Sequence, residues 1–150
     1  MAKMATKTLL KHVRTVPVPV QTTVTDEEYF QEAGVVSMGF NFKAQFLGLE
    51  IGTTELVELT IHELTESSLD APILAELGDK AELTVFQFKT FLAANRKSQE
   101  WFVLYLKGKD GNLWAVCASW SADSDGWNVY ASSVDVPDRW DAVDRVVSRN

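Results

Sequence analysis

Two apolar runs flank a turn signal in the stretch Trp101-Phe-Val-Leu-Tyr-Leu-Lys-Gly-Lys-Asp-Gly-Asn-Leu-Trp-Ala-Val-Cys-Ala-Ser-Trp120. Both runs are rich in aromatic and branched residues, which is typical of β-strands. Asp110-Gly111 between them is the preferred pair for a two-residue type I′ turn. The stretch therefore predicts an antiparallel hairpin with strands over 101–107 and 113–120.

A two-residue turn also fixes the register, and here it places Trp101 opposite Trp120. A third strand over 127–134 follows the loop 121–126. If that loop closes a second hairpin symmetrically, Trp127 lies beside Trp120, and a row of three tryptophans crosses one face. We expect the opposite face to carry Phe102, Leu104, Leu106, Leu113, Ala115, Cys117 and Tyr130.

Capping residues and alternation predict the other elements. Three helices are expected: one that Thr25 and Glu28 cap and Gly34 ends, one from Asp70 to Leu77 that Gly78 ends, and one that Thr84 and Gln87 open and that reaches about Asn95. Two strands, over 40–49 and 55–64, are expected to form a hairpin through Gly52-Thr-Thr54. A helical turn over 137–141 and a strand over 145–148 complete the chain.

These elements indicate an α+β fold. We expect an antiparallel, tryptophan-rich sheet, made of the C-terminal meander and the N-terminal hairpin, packed with two or three short helices. Residues 1–24 hold two prolines among valines and predict an extended, basic arm, and residues 25–150 predict a single domain.

Charge is divided unevenly along the 150 residues, whose net charge is −7. The first 25 residues carry four basic side chains and no acidic one, so the rest of the chain has 10 basic against 21 acidic residues. An acidic body is poorly suited to phosphate backbones, which speaks against nucleic-acid binding. No apolar stretch is long enough to span a bilayer, and no secretory signal or cysteine pair is present, so we expect a cytoplasmic location.

No motif predicts a catalytic residue, a metal site or a cofactor. His12 and His62 lie far apart with no cysteine near either, whereas zinc needs three or four converging ligands. Cys117 falls among apolar residues of the predicted sheet, which favours a buried structural thiol. The segment Asp123-Ser-Asp-Gly126 resembles part of a calcium loop, but serines occupy the positions of two essential carboxylates.

Four segments carry a resemblance to a group of proteins: Phe40-Asn-Phe-Lys-Ala-Gln-Phe-Leu-Gly48, Asp70-Ala-Pro-Ile-Leu-Ala-Glu-Leu-Gly-Asp-Lys-Ala-Glu82, Asp110-Gly-Asn-Leu-Trp-Ala-Val116 and Arg145-Val-Val-Ser-Arg149. Over about residues 40–150 the chain resembles uncharacterised short bacterial proteins that are common in candidate-phylum genomes. The resemblance implies a bacterial, single-domain protein and assigns no functional residue.

Three functions stay open at this point. The first is a non-enzymatic interaction or assembly module, which would bind another protein or a second copy through the tryptophan face or the N-terminal arm. The second is a glycan- or small-ligand-binding domain that uses sheet tryptophans as stacking planes. The third is an enzyme of unrecognised type. The candidate binding residues are Trp101, Tyr105, Trp114, Trp120, Trp127 and Asn128.

Overall fold

The predicted helices and C-terminal strands are present in a computed structural model, which describes residues 11, 23–51, 58–135 and 139–150. The helices are α1 (Glu27–Gln31), α2 (Phe40–Phe46), α3 (Asp70–Leu77) and α4 (Val85–Ala94), with a 3-10 turn at Gly78–Lys80. The strands are β1 (Thr23–Val24), β2 (Val35–Met38), β3 (Glu50–Ile51), β4 (Leu59–Glu63), β5 (Glu82–Leu83), β6 (Phe102–Lys107), β7 (Leu113–Ser121), β8 (Gly126–Ser133) and β9 (Arg145–Arg149).

The main sheet has the strand order β2-β8-β7-β6-β9-β4, and β5 pairs with β6 beside β9. This confirms the α+β class, but the expectation of a purely antiparallel sheet was wrong. The pairs β2–β8, β5–β6 and β6–β9 are parallel. A parallel pair needs a crossover connection, and α4 supplies one between β5 and β6.

The predicted register of the first hairpin was wrong by one residue. Leu106 lies opposite Trp114, and Val103 lies opposite Cys117. The turn has three residues instead of two: the amide of Gly111 donates to the carbonyl of Gly108 at 3.0 Å, and Gly111 has a φ of +79°. A type I turn followed by a glycine in the left-handed region is the usual three-residue hairpin loop.

The register shift breaks the predicted row of tryptophans. Trp120 and Trp127 do lie opposite each other, as predicted. Trp101 precedes Phe102, which packs on the same face as these two rings, so alternation directs Trp101 to the opposite face. The row of Trp101, Trp120 and Trp127 therefore does not exist, because a shift of one residue moves a side chain to the other face.

The predicted N-terminal hairpin was also wrong. Residues 40–46 form α2 instead of a strand, β3 pairs with β1, and β4 pairs with β9. Phe42 and Phe46 are four residues apart, so a helix places both rings on one face, where both are fully buried. Their ring centroids are 5.1 Å apart, and Phe30 contacts Phe42 at the same distance. The link 52–54 lies outside the described residues.

The N-terminal helix caps predicted from the sequence are found at α4 but not at α1 or α3. Thr84 Oγ1 accepts from the amide of Gln87 at 3.1 Å, and Gln87 Oε1 accepts from the amide of Thr84 at 2.9 Å, which confirms the capping box. The cap of α1 is Asp26 instead of Thr25. Thr25 donates its hydroxyl to the carbonyl of Phe46 at 2.6 Å. Asp70 begins α3 but caps nothing, because its carboxylate points into the interior.

Both faces of the sheet are covered. Helices α1, α2 and α4 pack on the face that carries Phe102, Leu104, Val116 and Trp127. Helix α3 and the segment before β9 pack on the other face, over the buried side chains Val103, Tyr105, Ala115, Cys117 and Val146. The burial of Cys117 confirms that it is a core residue.

Several expectations concern residues that the structure does not describe. These are the extended arm, apart from residues 11, 23 and 24, the start of the strand predicted over 55–64, and residues 137 and 138 of the helical turn predicted over 137–141. The described part of that turn, 139–141, is not helical, because Trp140 forms a β-bridge with Ser68, so the prediction was wrong there. In the described ranges, no helix has both the length and the apolar character that crossing a bilayer requires.

Candidate ligand-binding site

Loops gather at one end of the sheet, which we call the loop end. Strands β6 and β9 are parallel and both begin there, and the amide of Arg145 donates to the carbonyl of Trp101 at 2.8 Å. Strand β7 ends and β8 begins at the same end, where Ser121 lies opposite Gly126. Segments 95–101, 121–126 and 139–144 therefore lie close together, although they are distant in sequence.

A cleft of about 490 Å³ opens at the loop end on the face that α3 covers. Its volume lies in the range of small-molecule sites. Trp101 is 51% exposed and Tyr130 is 38% exposed, so two aromatic side chains offer accessible surface to one cavity. We call this cavity the aromatic cleft, and it is lined by Trp101, Tyr130, Arg139, Trp140, Asp141 and Asp144.

Trp140 forms a rigid wall of the aromatic cleft. Its backbone amide donates to the carbonyl of Ser68 at 2.8 Å, and the amide of Ser68 donates back at 2.9 Å. Its indole Nε1 donates to Asp70 Oδ1 at 2.7 Å. The ring is thus fixed by backbone and side-chain bonds, and because it is only 4% exposed it is a rigid support for the cleft and not a stacking surface.

Asp70 lies beneath this wall with no exposed surface. Its Oδ1 accepts from the Tyr105 hydroxyl at 2.8 Å as well as from Trp140. Burial raises the pKa of Tyr105 far above its ordinary value, and the adjacent Asp70 raises it further. Tyr105 is therefore a neutral hydrogen-bond donor. A buried carboxylate is tolerated only when such donors replace water, so the network holds α3, β6 and Trp140 together.

A strained acidic turn forms another side of the aromatic cleft. Asp144 Oδ2 accepts from the amide of Asp141 at 2.9 Å. Between them, Val143 has a φ of +75°, which is rare for a branched residue, and it is 66% exposed. Its amide donates to the carbonyl of Leu64 at 3.0 Å, which helps to hold the turn. Backbone strain of this kind clusters at functional sites.

The electrostatics of the aromatic cleft are mixed. Burial raises the pKa of Asp144, the hydrogen bond from the Asp141 amide lowers it by a smaller amount, and the charge of Asp141 raises it slightly again. Arg139 lines the same cavity, and among the described residues it has no ion-pair partner within 4.0 Å. The cleft can therefore offer stacking surfaces, carboxylate acceptors and a guanidinium donor to a single ligand.

The structure brings only part of the predicted binding set to this cleft. Trp101 lines it, and Tyr105 lies buried beneath it. Asn128 lies opposite Ser119 on the same face of the sheet as Tyr130 and is half-buried.

Trp114, Trp120 and Trp127 face the other side of the sheet. Trp127 is fully buried, and its Nε1 donates to the carbonyl of Leu92 at 3.0 Å. Trp114 and Trp120 stand near opposite ends of β7, roughly 20 Å apart at the usual rise per residue. These three rings therefore do not converge on one ligand.

Trp120 lines a separate cavity of about 500 Å³ at the loop end, on the other face. The ring packs edge-on against Trp127, with centroids 5.4 Å apart. Lys97 and Asp125 line the same cavity and both have positive φ. Trp120 is its only aromatic lining residue within the described part of the chain, so this cavity offers one aromatic surface where the aromatic cleft offers two, Trp101 and Tyr130.

Sequence reasoning missed Arg139, Trp140, Asp141 and Asp144. A signal was present: Trp140 stands between charged residues in Asp138-Arg-Trp-Asp141, a segment too polar to be core by itself. A buried tryptophan in such a segment needs a partner for its indole N–H, and Asp70 provides it.

Across the described ranges, no group of three or more histidine, cysteine, aspartate or glutamate side chains is arranged to hold a metal ion. Comparisons of the chain with models of known families, with curated proteins and with solved structures found no match. The resemblance to short bacterial proteins therefore stays a prediction.

Proposed function

We propose that the protein binds a small polar ring compound, such as a sugar, in the aromatic cleft. The observation that carries this proposal is the exposed Trp101, which shares one cavity with Tyr130 and with three charged side chains. Sugar rings pair an apolar face with a rim of hydroxyl groups, so they suit a site that offers aromatic surface beside hydrogen-bonding groups. Trp140, fixed on Asp70, supports the proposal because it gives the site a rigid wall.

The aromatic side chains in this proposal differ from those that the sequence suggested for ligand binding. The sequence suggested Trp114, Trp120 and Trp127, of which one is fully buried and the others stand near opposite ends of a strand. Trp101 remains in the proposed site, Tyr105 supports it from beneath through Asp70, and Asn128 lies on the same face of the sheet without lining the cleft.

A titration monitored by tryptophan fluorescence tests the proposal. The ligands are glucose, galactose, N-acetylglucosamine, maltose and cellobiose, and the variants are Trp101→Ala and Phe40→Ala. Phe40 is an exposed aromatic residue outside the cleft, so its variant is the matched control. We expect saturable binding of at least one sugar, weakened roughly tenfold by Trp101→Ala and unchanged by Phe40→Ala. A flat titration for every sugar, or equal binding by Trp101→Ala, would reject the proposal.

A second candidate is acid–base catalysis on the ligand in the same cleft. The observation in its favour is the pair Asp141 and Asp144, since burial raises the pKa of Asp144 while Asp141 is exposed. Glycoside hydrolases commonly use two carboxyl groups whose different environments separate their pKa values. In an assay with 4-nitrophenyl glycosides, Asp144→Asn should lower kcat by about a hundredfold or more. No turnover by the intact protein would remove this candidate.

A protein-interaction or assembly function is the third candidate. It is supported by the side chain of Phe40, which is 86% exposed, and by Val36 on the edge strand β2. Light scattering at rising protein concentration, with Phe40→Ser for comparison, tests it. Association that Phe40→Ser weakens would support this function, and a monomer at all concentrations would argue against self-assembly.

A further inference from the structure

A second groove lies between α3 and the edge of the sheet formed by β4 and β9, and we call it the α3 groove. It has a volume of about 400 Å³. A smaller pocket of about 160 Å³ adjoins it and shares the lining residues His62, Glu76 and Leu77. None of the residues lining either cavity lines the aromatic cleft.

The larger cavity is lined by polar and basic groups. Lys80 follows α3 in the 3-10 turn, and Arg149 ends β9. Glu76 is the one acidic lining residue that the structure describes there. Among the described residues, neither Lys80 nor Arg149 has an ion-pair partner within 4.0 Å. Two unpaired cations thus face one cavity on a chain whose net charge is −7.

Neighbouring hydrogen bonds hold this polar half of the groove in place. The Arg149 guanidinium donates to the carbonyl of Asp79, which ties β9 to the turn that carries Lys80. Ser148 Oγ donates to the carbonyl of Arg149 at 3.0 Å. Because a hydroxyl has one proton, His62 Nε2 is then the donor in its contact with Ser148 Oγ at 2.8 Å. Thr60 adds a further hydroxyl to the lining.

Four of the eight described residues that line the smaller pocket are apolar, against one of the eight that line the larger cavity. Leu64, Ile73, Leu77 and Val146 contribute to the walls of the smaller pocket. Its carboxylate Glu63 is occupied by Arg145 at 2.6 Å. The two cavities together therefore form a groove with a cationic end and an end that carries the apolar side chains, joined at His62, Glu76 and Leu77.

We propose that the α3 groove binds a phosphate monoester of a small apolar or aromatic alcohol. The phosphate would lie between Lys80 and Arg149, since a guanidinium matches phosphate oxygens in a planar fork and an ammonium supplies a compact charge. The organic group would extend over Leu77 into the smaller pocket. This site is independent of the proposed sugar site, because the two share no lining residue.

A titration of the intact chain followed by ¹H–¹⁵N NMR tests this proposal. The probes are phenyl phosphate, inorganic phosphate and benzyl alcohol. The variants are Lys80→Gln and Arg149→Gln, and Lys43→Gln is the control, because Lys43 lies on α2 and its removal changes the net charge equally. With phenyl phosphate we expect saturable shifts at the amides of His62, Lys80 and Ser148. Each groove variant should weaken binding roughly tenfold, whereas Lys43→Gln should leave it unchanged.

The three probes distinguish the possible ligands. Phenyl phosphate that binds more tightly than inorganic phosphate, with no response to benzyl alcohol, would support a phosphate monoester. Inorganic phosphate that binds as tightly as the ester would overturn the role of the smaller pocket and leave a site for the free ion. The absence of saturable shifts with phenyl phosphate, or equal weakening by Lys43→Gln, would overturn the site altogether.

Discussion

Asp70 shows how one residue can connect the core to the candidate site. Its carboxylate is fully buried, and its Oδ1 accepts hydrogen bonds from the Tyr105 hydroxyl and the Trp140 indole. These donors come from β6 and from the segment before β9, while Asp70 belongs to α3. The wall of the aromatic cleft thus depends on a residue that no ligand in the cleft would touch.

Removal of this acceptor should be costly. Asp70→Ala leaves two buried donors without it, so we expect the free energy of unfolding to fall by about 3 kcal/mol. Asp70→Asn keeps an acceptor oxygen and should cost less. Asp79→Ala, at an exposed position after α3, is the control and should have little effect. Urea denaturation gives the comparison, and equal stability of Asp70→Ala and Asp79→Ala would show that the network contributes nothing.

Asp110 should make the hairpin turn sensitive to acid. The backbone N–H of Asn112 and the Trp114 indole N–H both donate to this carboxylate and lower the pKa of Asp110. A lowered folded-state pKa means that the stabilisation is complete above the unfolded value of about 3.9 and is lost as pH falls through the folded value. The Trp114 indole proton resonance should shift over the same acidic range. In Asp110→Asn that shift should disappear, and its persistence would assign the titration to another group.

At the scale of elements, the hairpin register could not be read from the apolar pattern. Both faces of β6 and β7 are buried, so a shift of one residue exchanges two apolar faces without exposing either. Asp110-Gly111 suits a two-residue loop, and a glycine with positive φ suits a three-residue loop equally well. The hydrogen bond between the Trp114 indole and Asp110 accompanies the observed register, and the spacing of these two residues in the sequence does not predict it.

Helix α2 was mistaken for a strand for a related reason. Phe40 and Phe42 alternate as strand residues do, whereas Phe42 and Phe46 have helical spacing. The structure buries the second pair and leaves Phe40 exposed. Elements with a local signature were predictable: the capping box of α4 and the glycine that ends α3 both stand as expected.

The parallel pairing of β2 with β8 depends on a residue without a side chain. A methyl group at Gly126 would meet the side chain of Val36 and lie 2.8 Å from the carbonyl oxygen of Gly34. We expect Gly126→Ala to lower the free energy of unfolding by about 2 kcal/mol through overpacking. Val36→Ala should recover part of that loss in the double variant, because the exposed valine can be shortened cheaply. Thermal unfolding of the three variants measures this coupling, and strict additivity would contradict the proposed contact.

At the scale of the molecule, the candidate site is assembled from segments that sequence reasoning had no means to join. Trp101, Tyr130 and Trp140 belong to three different segments. The pairing of β6, β7 and β8 brings the first two to one face, and β9, paired with β6, brings the segment that carries Trp140 beside them. A C-terminal strand was predicted, but its place inside the sheet depends on long-range pairing that no local pattern encodes. The tryptophans that the sequence did emphasise serve mainly as core.

The N-terminal arm should be dispensable for folding. Thr23 and Val24 pair with β3, so a truncation should stop at residue 22. We expect the chain without residues 1–22 to keep its melting temperature within a few degrees. If the full chain is oligomeric, the truncated one should show a smaller mass by light scattering. Loss of folding, or an unchanged oligomer, would contradict the role of the arm in assembly.

The insertion of β9 between β6 and β4 also has a consequence for biosynthesis. Strand β4 has β9 as its partner in the sheet, and 86 residues separate His62 from Ser148. A ribosome that adds about 5–20 residues per second takes on the order of ten seconds to cover that distance. Throughout that time β4 is out of the ribosome or in its exit tunnel without its partner. The nascent chain thus carries β4 without its partner until β9 has been synthesised, and in this interval a chaperone would be most useful to it.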